Sequence, residues 1–403
     1  MSRAVPQLWT GATLYRARRW TLVECPICGM SKVRRLFKRN VRVNLALQGG
    51  GAHGAFTWGV LDRLLEDDDL EIGWVSATSA GAVNAVAVAA GLSEGGKALA
   101  RQKLREVWEA VQQSGVPDLV RLNPFLYGLS RAPQIAQMAS LWSPYEFNPL
   151  GFDPLRRLLA DSIDFAKLRE RSPVELLIAA TEVATGRARL FRRPEITVDA
   201  VLASACLPTL HHAVEIDGVA YWDGGFSANP DLKTLAMESP IEDTLIVQLN
   251  SMVREDMPTG TREISLHAYR LAFNAPFIRE VELIETVRET MQGRIGGPRG
   301  RFGKLATHRF HLIDAGRYAG TLSPDSTMKP DRDLLAHLFH AGRDEAEKWL
   351  VRHRASVGKR STVDLRARFL SRDRGGNGET EALGEQVSAK AKAVGASDIP
   401  EGI

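Results

Sequence analysis

Two turns constrain what this chain can fold into more than any other feature. The first, Gly49-Gly50-Gly51-Ala52-His53-Gly54, follows a strand-like apolar run from Val41 to Leu47 and precedes a helix-like run from about Ala55 to Leu65. The second, Ala77-Thr78-Ser79-Ala80-Gly81, follows the strand-like Glu71 to Ser76 and opens an alanine-rich helix from Ala80 to Ala90. Two strand-turn-helix units in succession pair their strands in parallel and pack their helices on the faces. The expected fold is α/β, with a mostly parallel central sheet and helices on both sides.

The alternation continues downstream. Lys97 to Gln113 predicts a charged amphipathic helix, and Glu175 to Thr181 with Arg187 to Phe191 predicts a strand pair around a Thr-Gly turn. Asp199 to Cys206 predicts a short helix stopped by Pro208, and Ala213 to Ala220 a hairpin broken at Asp217-Gly218. Leu245 to Leu249 and His308 to Ile313 predict strands; Arg262 to Met291 and Leu334 to Arg354 predict helices. Between 114 and 152, prolines alternate with Phe125, Tyr127, Trp142, Tyr145, Phe147 and Phe152. Such an insertion either walls an apolar pocket or packs as ordinary surface structure.

Charge divides the chain unevenly. The first 40 residues hold nine Lys or Arg against Glu24, a net +8 within a whole-chain +4, which leaves −4 for the rest. The basic character therefore belongs to an N-terminal segment, 1–40, expected to be poorly ordered. The body shows no sign of a nucleic-acid partner. If helical, Met30 to Arg39 would gather Met30, Val33 and Phe37 on one face among cations, as a segment contacting an anionic membrane surface does. A solvated basic tail, an organelle transit segment, or a true start at Met30 are the alternatives. One domain is expected over 41–355, then a disordered tail over 372–403 with no periodic apolar face.

Cys25, Cys28 and Cys206 are too few for a disulfide framework and suggest a reducing compartment. Cys25 and Cys28 have the spacing of half a zinc ribbon, but no second pair follows, so no metal is expected. No window approaches the ~18 consecutive apolar residues of a membrane span, and arginines interrupt the N-terminus before any signal-like core. The expected location is cytoplasmic, with peripheral membrane contact as an extension.

The turns carry chemistry as well as topology. A nucleophilic serine must stand at a strand end on a turn whose neighbours at i−2 and i+2 are small, here Ala77 and Gly81 around Ser79. The helix that follows directs its N-terminal dipole at the reacting centre. A glycine loop can aim backbone amides at a developing oxyanion. The same string also reads Gly-x-Gly-x-x-Gly, a dinucleotide fingerprint, but that rival expects an acidic residue closing the next strand, where Thr78-Ser79 stands. A base is harder to find. His211, His212, His267, His308 and His311 lie downstream without catalytic context, and Asp223-Gly224-Gly225 alone is a common turn.

Taken together, the glycine loop, the serine elbow and the Asp-Gly-Gly turn, in that order, resemble the patatin-like phospholipases. Ala203-Ser204-Ala205-Cys206-Leu207-Pro208 and Ile216 to Trp222 match as well, and the likeness covers 41–249. The resemblance implies a three-layer α/β/α fold and hydrolysis of acyl-ester lipids by a Ser-Asp dyad, with no cofactor. Ser79 would be the nucleophile and Asp223 the base, and the backbone of Gly49, Gly50, Gly51 and Ala52 would form the oxyanion hole. His53, Gly54, Ala77, Gly81, Gly224 and Gly225 would support the motifs. A histidine-dependent α/β-hydrolase and a lipid-associated regulatory protein with little turnover are the alternatives. Two positions depart from the family: His53 replaces its usual Arg or Lys, which predicts pH-dependent activity, and Ala77 replaces the elbow's usual glycine.

Overall fold

The computed structural model describes residues 22–23, 32–33, 41–113, 143–250, 257–292, 299–319, 322, 326–327 and 330–371. The chain divides into two units, 1–40 and 41–403. In the first, strands β1 (Leu22–Val23) and β2 (Lys32–Val33) pair antiparallel. Lys32 and Val33 are thus extended, which corrects the helix considered for Met30 to Arg39. Cys25, Cys28, the stretch 114–142 and the tail 372–403 lie outside the described residues.

The second unit is built on an eight-stranded sheet. Its strands are β3 (Val41–Leu47), β4 (Leu70–Thr78), β5 (Glu175–Glu182), β6 (Ala188–Arg192), β7 (Val214–Ile216), β8 (Val219–Asp223), β9 (Asp243–Gln248) and β10 (Arg309–Asp314). Their order is β10-β9-β3-β4-β5-β8-β7, with β6 also pairing β5. The five strands from β10 to β5 run parallel, while β6, β8 and β7 join antiparallel.

Alternation along the strands assigns each residue to one face. From β3, Val43, Leu45 and Leu47 enter one apolar core, and Ala46 enters the other. The first core is covered by α1 (Gly54–Leu65), α2 (Ala80–Glu94), α3 (Lys97–Gln113), α5 (Pro154–Ser162), α6 (Phe165–Arg171), α7 (Val198–Ser204) and α12 (Arg332–His353); α4 (Pro144–Phe147) precedes α5 in the chain. On the opposite face lie α8 (Lys233–Glu238), α9 (Thr261–Met291) and α10 (Gly300–Thr307), while the four-residue α11 (Gly316–Ala319) after β10 packs Tyr318 against the first core. The result is a three-layer α/β/α sandwich.

Helix α2 is enclosed along most of its length. Every residue from Ala80 to Gly91 is buried, as in a helix surrounded on all sides. Its N-terminus is therefore held in place by the core, and Ser79 immediately precedes it. Helices α5 and α6, which the strand and helix patterns of the sequence did not separate, start at Asp153 and Asp164, whose carboxylates accept from Leu155 N and Lys167 N. Among the described residues, no helix is long and apolar enough to cross a membrane.

Candidate active site

Strand β4 ends at Thr78 and α2 begins at Ala80, so Ser79 occupies the whole junction. Its backbone sits at φ 54°, ψ −124°. Positive φ on a residue with a Cβ costs roughly 1–3 kcal/mol and persists only where surrounding contacts over-determine it. Three bonds do so here. Ser79 N donates to Ser204 Oγ at 2.9 Å, Ser79 O accepts from Val83 N at 3.1 Å, and Thr78 Oγ1 donates to Ala228 O at 2.7 Å. A serine before a helix ordinarily caps it through its hydroxyl. Ser79 makes no such cap, so Oγ is left for other work.

Asp223 closes β8. Thr78 of β4 pairs with Ala179 of β5, and the adjacent Ala180 pairs with Asp223, so β5 alone separates the two strand ends. The aspartate is fully buried. Its amide donates to Cys206 O at 2.8 Å, its carbonyl accepts from Thr181 Oγ1 at 2.7 Å, and Oδ1 accepts from Gly225 N at 2.8 Å. Burial pushes the carboxyl up to about 7, against the opposing pull of the Gly225 amide and the Ser79 hydroxyl. Ser79 is thus near enough to act on the carboxyl. Oδ2 has no hydrogen-bond partner among the described residues.

The glycine loop lies directly against the elbow. Gly49 N donates to Asn229 Oδ1 at 2.8 Å and Gly49 O accepts from Asn250 Nδ2 at 3.1 Å. Gly51 has φ 56°, the left-handed region that glycine adopts without penalty. No described residue accepts a hydrogen bond from the Gly50 or Gly51 amide, and Ala52 is buried in the short helical turn leading to α1. The other motif glycines are close approaches: an added Cβ would lie 2.7 Å from Ala80 Cβ at Gly54, 2.4 Å from Leu47 O at Gly81, 2.1 Å from Ala179 O at Gly224 and 2.1 Å from the Phe273 ring at Gly225. Ala77, by contrast, is an ordinary buried strand residue paired with Leu47 and Ile178, and its methyl group is accommodated.

His53 departs from expectation in a different way. It is buried and its Nε2 lies 2.7 Å from Ser326 Oγ. Burial, reinforced by the nearby Arg270 guanidinium, lowers its pKa to about 4. The side chain is therefore a neutral imidazole at neutral pH, which corrects the expected titratable charge beside the loop.

The downstream histidines sit elsewhere. His311 bonds Asp243 Oδ1 at 3.1 Å and Thr362 Oγ1 at 2.9 Å, the outline of a catalytic triad, but it is fully buried on edge strand β10. There it ties the segment around Thr362 to the sheet. His308 bonds Thr244 Oγ1 at 2.7 Å, and His212 stacks on Tyr145 with ring centroids 4.1 Å apart. None of these is bonded to Ser79. Among the described residues, no cluster of His, Cys, Asp and Glu is arranged to hold a metal ion.

Two side chains that sequence reasoning did not single out prove central: Ser204, quoted only as part of a matching stretch, and Asn229. The signal for each was its position, Ser204 four residues before Pro208 and Asn229 six residues after Asp223.

A family model described as patatin-like phospholipase matches residues 45–236. No curated protein matches the sequence. Among solved structures, VipD from Legionella pneumophila is similar at 17% identity, covering 80% of this chain and 72% of its own, with a TM-score of 0.37. ExoU in complex with SpcU, from the type III secretion system of Pseudomonas aeruginosa, is similar at 14% identity, covering 99% and 73%, with a TM-score of 0.32. The family match points to lipid hydrolysis, and residues 45–236 of this chain are similar to the patatin-like phospholipases.

Proposed function

We propose that the protein is a serine acyl-lipid hydrolase of the phospholipase A or esterase type, working through a Ser79-Asp223 dyad. One observation carries the reading. A fully buried aspartate whose carboxyl burial pushes up to about 7, with the Ser79 hydroxyl pulling against it, ends a strand separated only by β5 from the strand end that holds Ser79 at φ 54°.

An ordinary aspartate, with a pKa near 3.8, is too weak a base to take a serine proton at neutral pH. Raised to about 7, Asp223 is a far better acceptor while still partly ionised. Ser79 Oγ attacks the ester carbonyl as its proton passes to Asp223. The Gly50 and Gly51 amides stabilise the resulting oxyanion, helped by the α2 dipole; one such donor is worth roughly 3–4 kcal/mol of barrier. Collapse expels the alcohol, which takes the proton from Asp223, and leaves an acyl-serine. Water then attacks with its proton going to Asp223, the carboxylic acid departs, and the proton returns to Ser79.

The hydrolase domain in this reading spans 41–355. The protein acts in the cytoplasm at a membrane surface, with the basic 1–40 segment drawn to anionic lipid. Turnover of p-nitrophenyl esters and phospholipid vesicles by wild type, Ser79→Ala and Asp223→Asn tests the chemistry. Both variants are expected to be inactive, while substitution of each downstream histidine leaves activity in place. Activity in Ser79→Ala overturns the reading.

A further inference from the structure

We propose that Ser204 is a positioning residue for the nucleophile: its buried hydroxyl holds the Ser79 amide and so fixes the elbow in the conformation that presents Oγ. The inference rests on the proposed Ser79-Asp223 dyad and names a residue that acts through Ser79.

Little else could hold that amide. The parallel ladders of β4 end at Ala77 towards β3 and at Thr78 towards β5, so Ser79 has no strand partner. An N–H preceding a helix has no intrahelical acceptor either. Ser204 Oγ, at 2.9 Å and itself fully buried, supplies the acceptor. Ser204 is the last residue of α7, whose Ala200, Val201, Leu202 and Ala203 are all packed in the core, so the hydroxyl is delivered from a rigid element.

The same helix end also holds the other half of the dyad. Two residues after Ser204, the Cys206 carbonyl accepts the Asp223 amide at 2.8 Å. One short stretch, 204–206, thereby grips the backbone of both Ser79 and Asp223 and sets their separation. Removing the Ser204 hydroxyl leaves a buried N–H unpaired at a strained φ. Both penalties are relieved if Ser79 relaxes to negative φ, which swings Oγ away from the carboxyl.

The test uses the full chain with Ser204→Ala, and Ser204→Thr against Ser204→Val, a pair of equal volume differing in the hydroxyl. Four quantities are read: kcat and KM on p-nitrophenyl butyrate per site titrated with a fluorophosphonate, the labelling rate, and hydrogen exchange of the peptide containing Ser79. Ser204→Ala and Ser204→Val are expected to lose roughly 10- to 100-fold in kcat per titrated site with KM within about threefold, as small misplacements of a nucleophile do. Ser204→Thr is expected to stay within about fivefold of wild type, and protection of the Ser79 amide should fall ~10-fold only in the variants lacking the hydroxyl.

A purely structural role would lower the titratable fraction and leave kcat per site unchanged. That result, or equal losses in Thr and Val, overturns the proposal. If wild type neither labels nor turns over esters, the hydrolase reading fails, and the exchange data alone decide whether Ser204 clamps the elbow. Unchanged protection without the hydroxyl ends it.

Discussion

An added Cβ on Gly49 would lie 2.8 Å from the Cβ of Ser79, closer than two such atoms can approach. The glycine loop and the serine elbow therefore meet with no room for a side chain between them. Gly49→Ala must push the loop and the elbow apart, and either shift misplaces a proposed oxyanion donor or the proposed nucleophile. The expected result is a loss of kcat/KM on the order of 100-fold, with a lowered melting temperature. Ester kinetics normalised by fluorophosphonate titration check it; near wild-type turnover per site would mean that the contact has slack.

In the proposed dyad, Asp223 sets the pH behaviour. Its carboxyl must be ionised to accept a proton, so kcat/KM should fall about tenfold per pH unit below its pKa and level off above it. With that pKa at about 7, the acid limb lies in the neutral range. Stability follows the opposite course. The folded carboxyl binds its proton more tightly than the unfolded one, whose ordinary value is 3.8, so its stabilising contribution is present below that value and is lost as pH rises through about 7. Asp223→Asn, which cannot ionise, should gain melting temperature relative to wild type between pH 5 and pH 8. Glu280, also raised by burial, contributes to both proteins and cancels in the difference. A constant difference across that range contradicts the assignment.

His53 should be silent where Asp223 titrates. Its folded pKa of about 4 lies below the ordinary 6.5, so the fold is stabilised by the neutral form and loses that contribution as pH falls from 6.5 through about 4. His53→Gln is expected to keep the neutral acid limb of kcat/KM and to soften the loss of melting temperature in that acid window. Displacement of the neutral limb in this variant would return the pH dependence to His53.

How far the sequence reaches depends on whether the determining contact is local. The strand-turn-helix units around Gly49 and Ser79 were legible because the chemistry of each turn is written in adjacent residues: apolar strand, small turn residue, apolar helix. Hairpin β7-β8 was legible for the same reason, its Asp217-Gly218 turn standing at φ 53° and 78°. The neutral state of His53 was not legible, because it comes from burial and from Arg270 more than 200 residues away in the chain. Ser204 escaped similarly, since its bond to Ser79 spans 125 residues. Helices α5 and α6 were missed although both carry an aspartate N-cap, because each is too short to show a clear apolar period.

Asn229 offers the most direct view of how such long-range contacts serve the loop. Its Oδ1 accepts the Gly49 amide at 2.8 Å, and its Nδ2 donates to Phe273 O in α9 at 3.2 Å. Phe273 in turn lies over Gly225, beside the Asp223 turn, so one buried amide links the glycine loop, the aspartate turn and the helix behind them. Asn229→Ala removes both bonds and leaves the Gly49 N–H buried and unpaired, at a cost of about 1–3 kcal/mol. Asn229→Asp keeps an acceptor for Gly49 but loses the donor and buries a carboxyl. That variant should recover kcat only as pH falls towards the point where its new carboxyl is protonated and can donate again, while the Asp223 limb opposes the recovery. Chemical denaturation at two pH values, read beside kcat per titrated site, separates the two effects. Equal stability of wild type and Asn229→Ala would show that the Gly49 amide finds another acceptor.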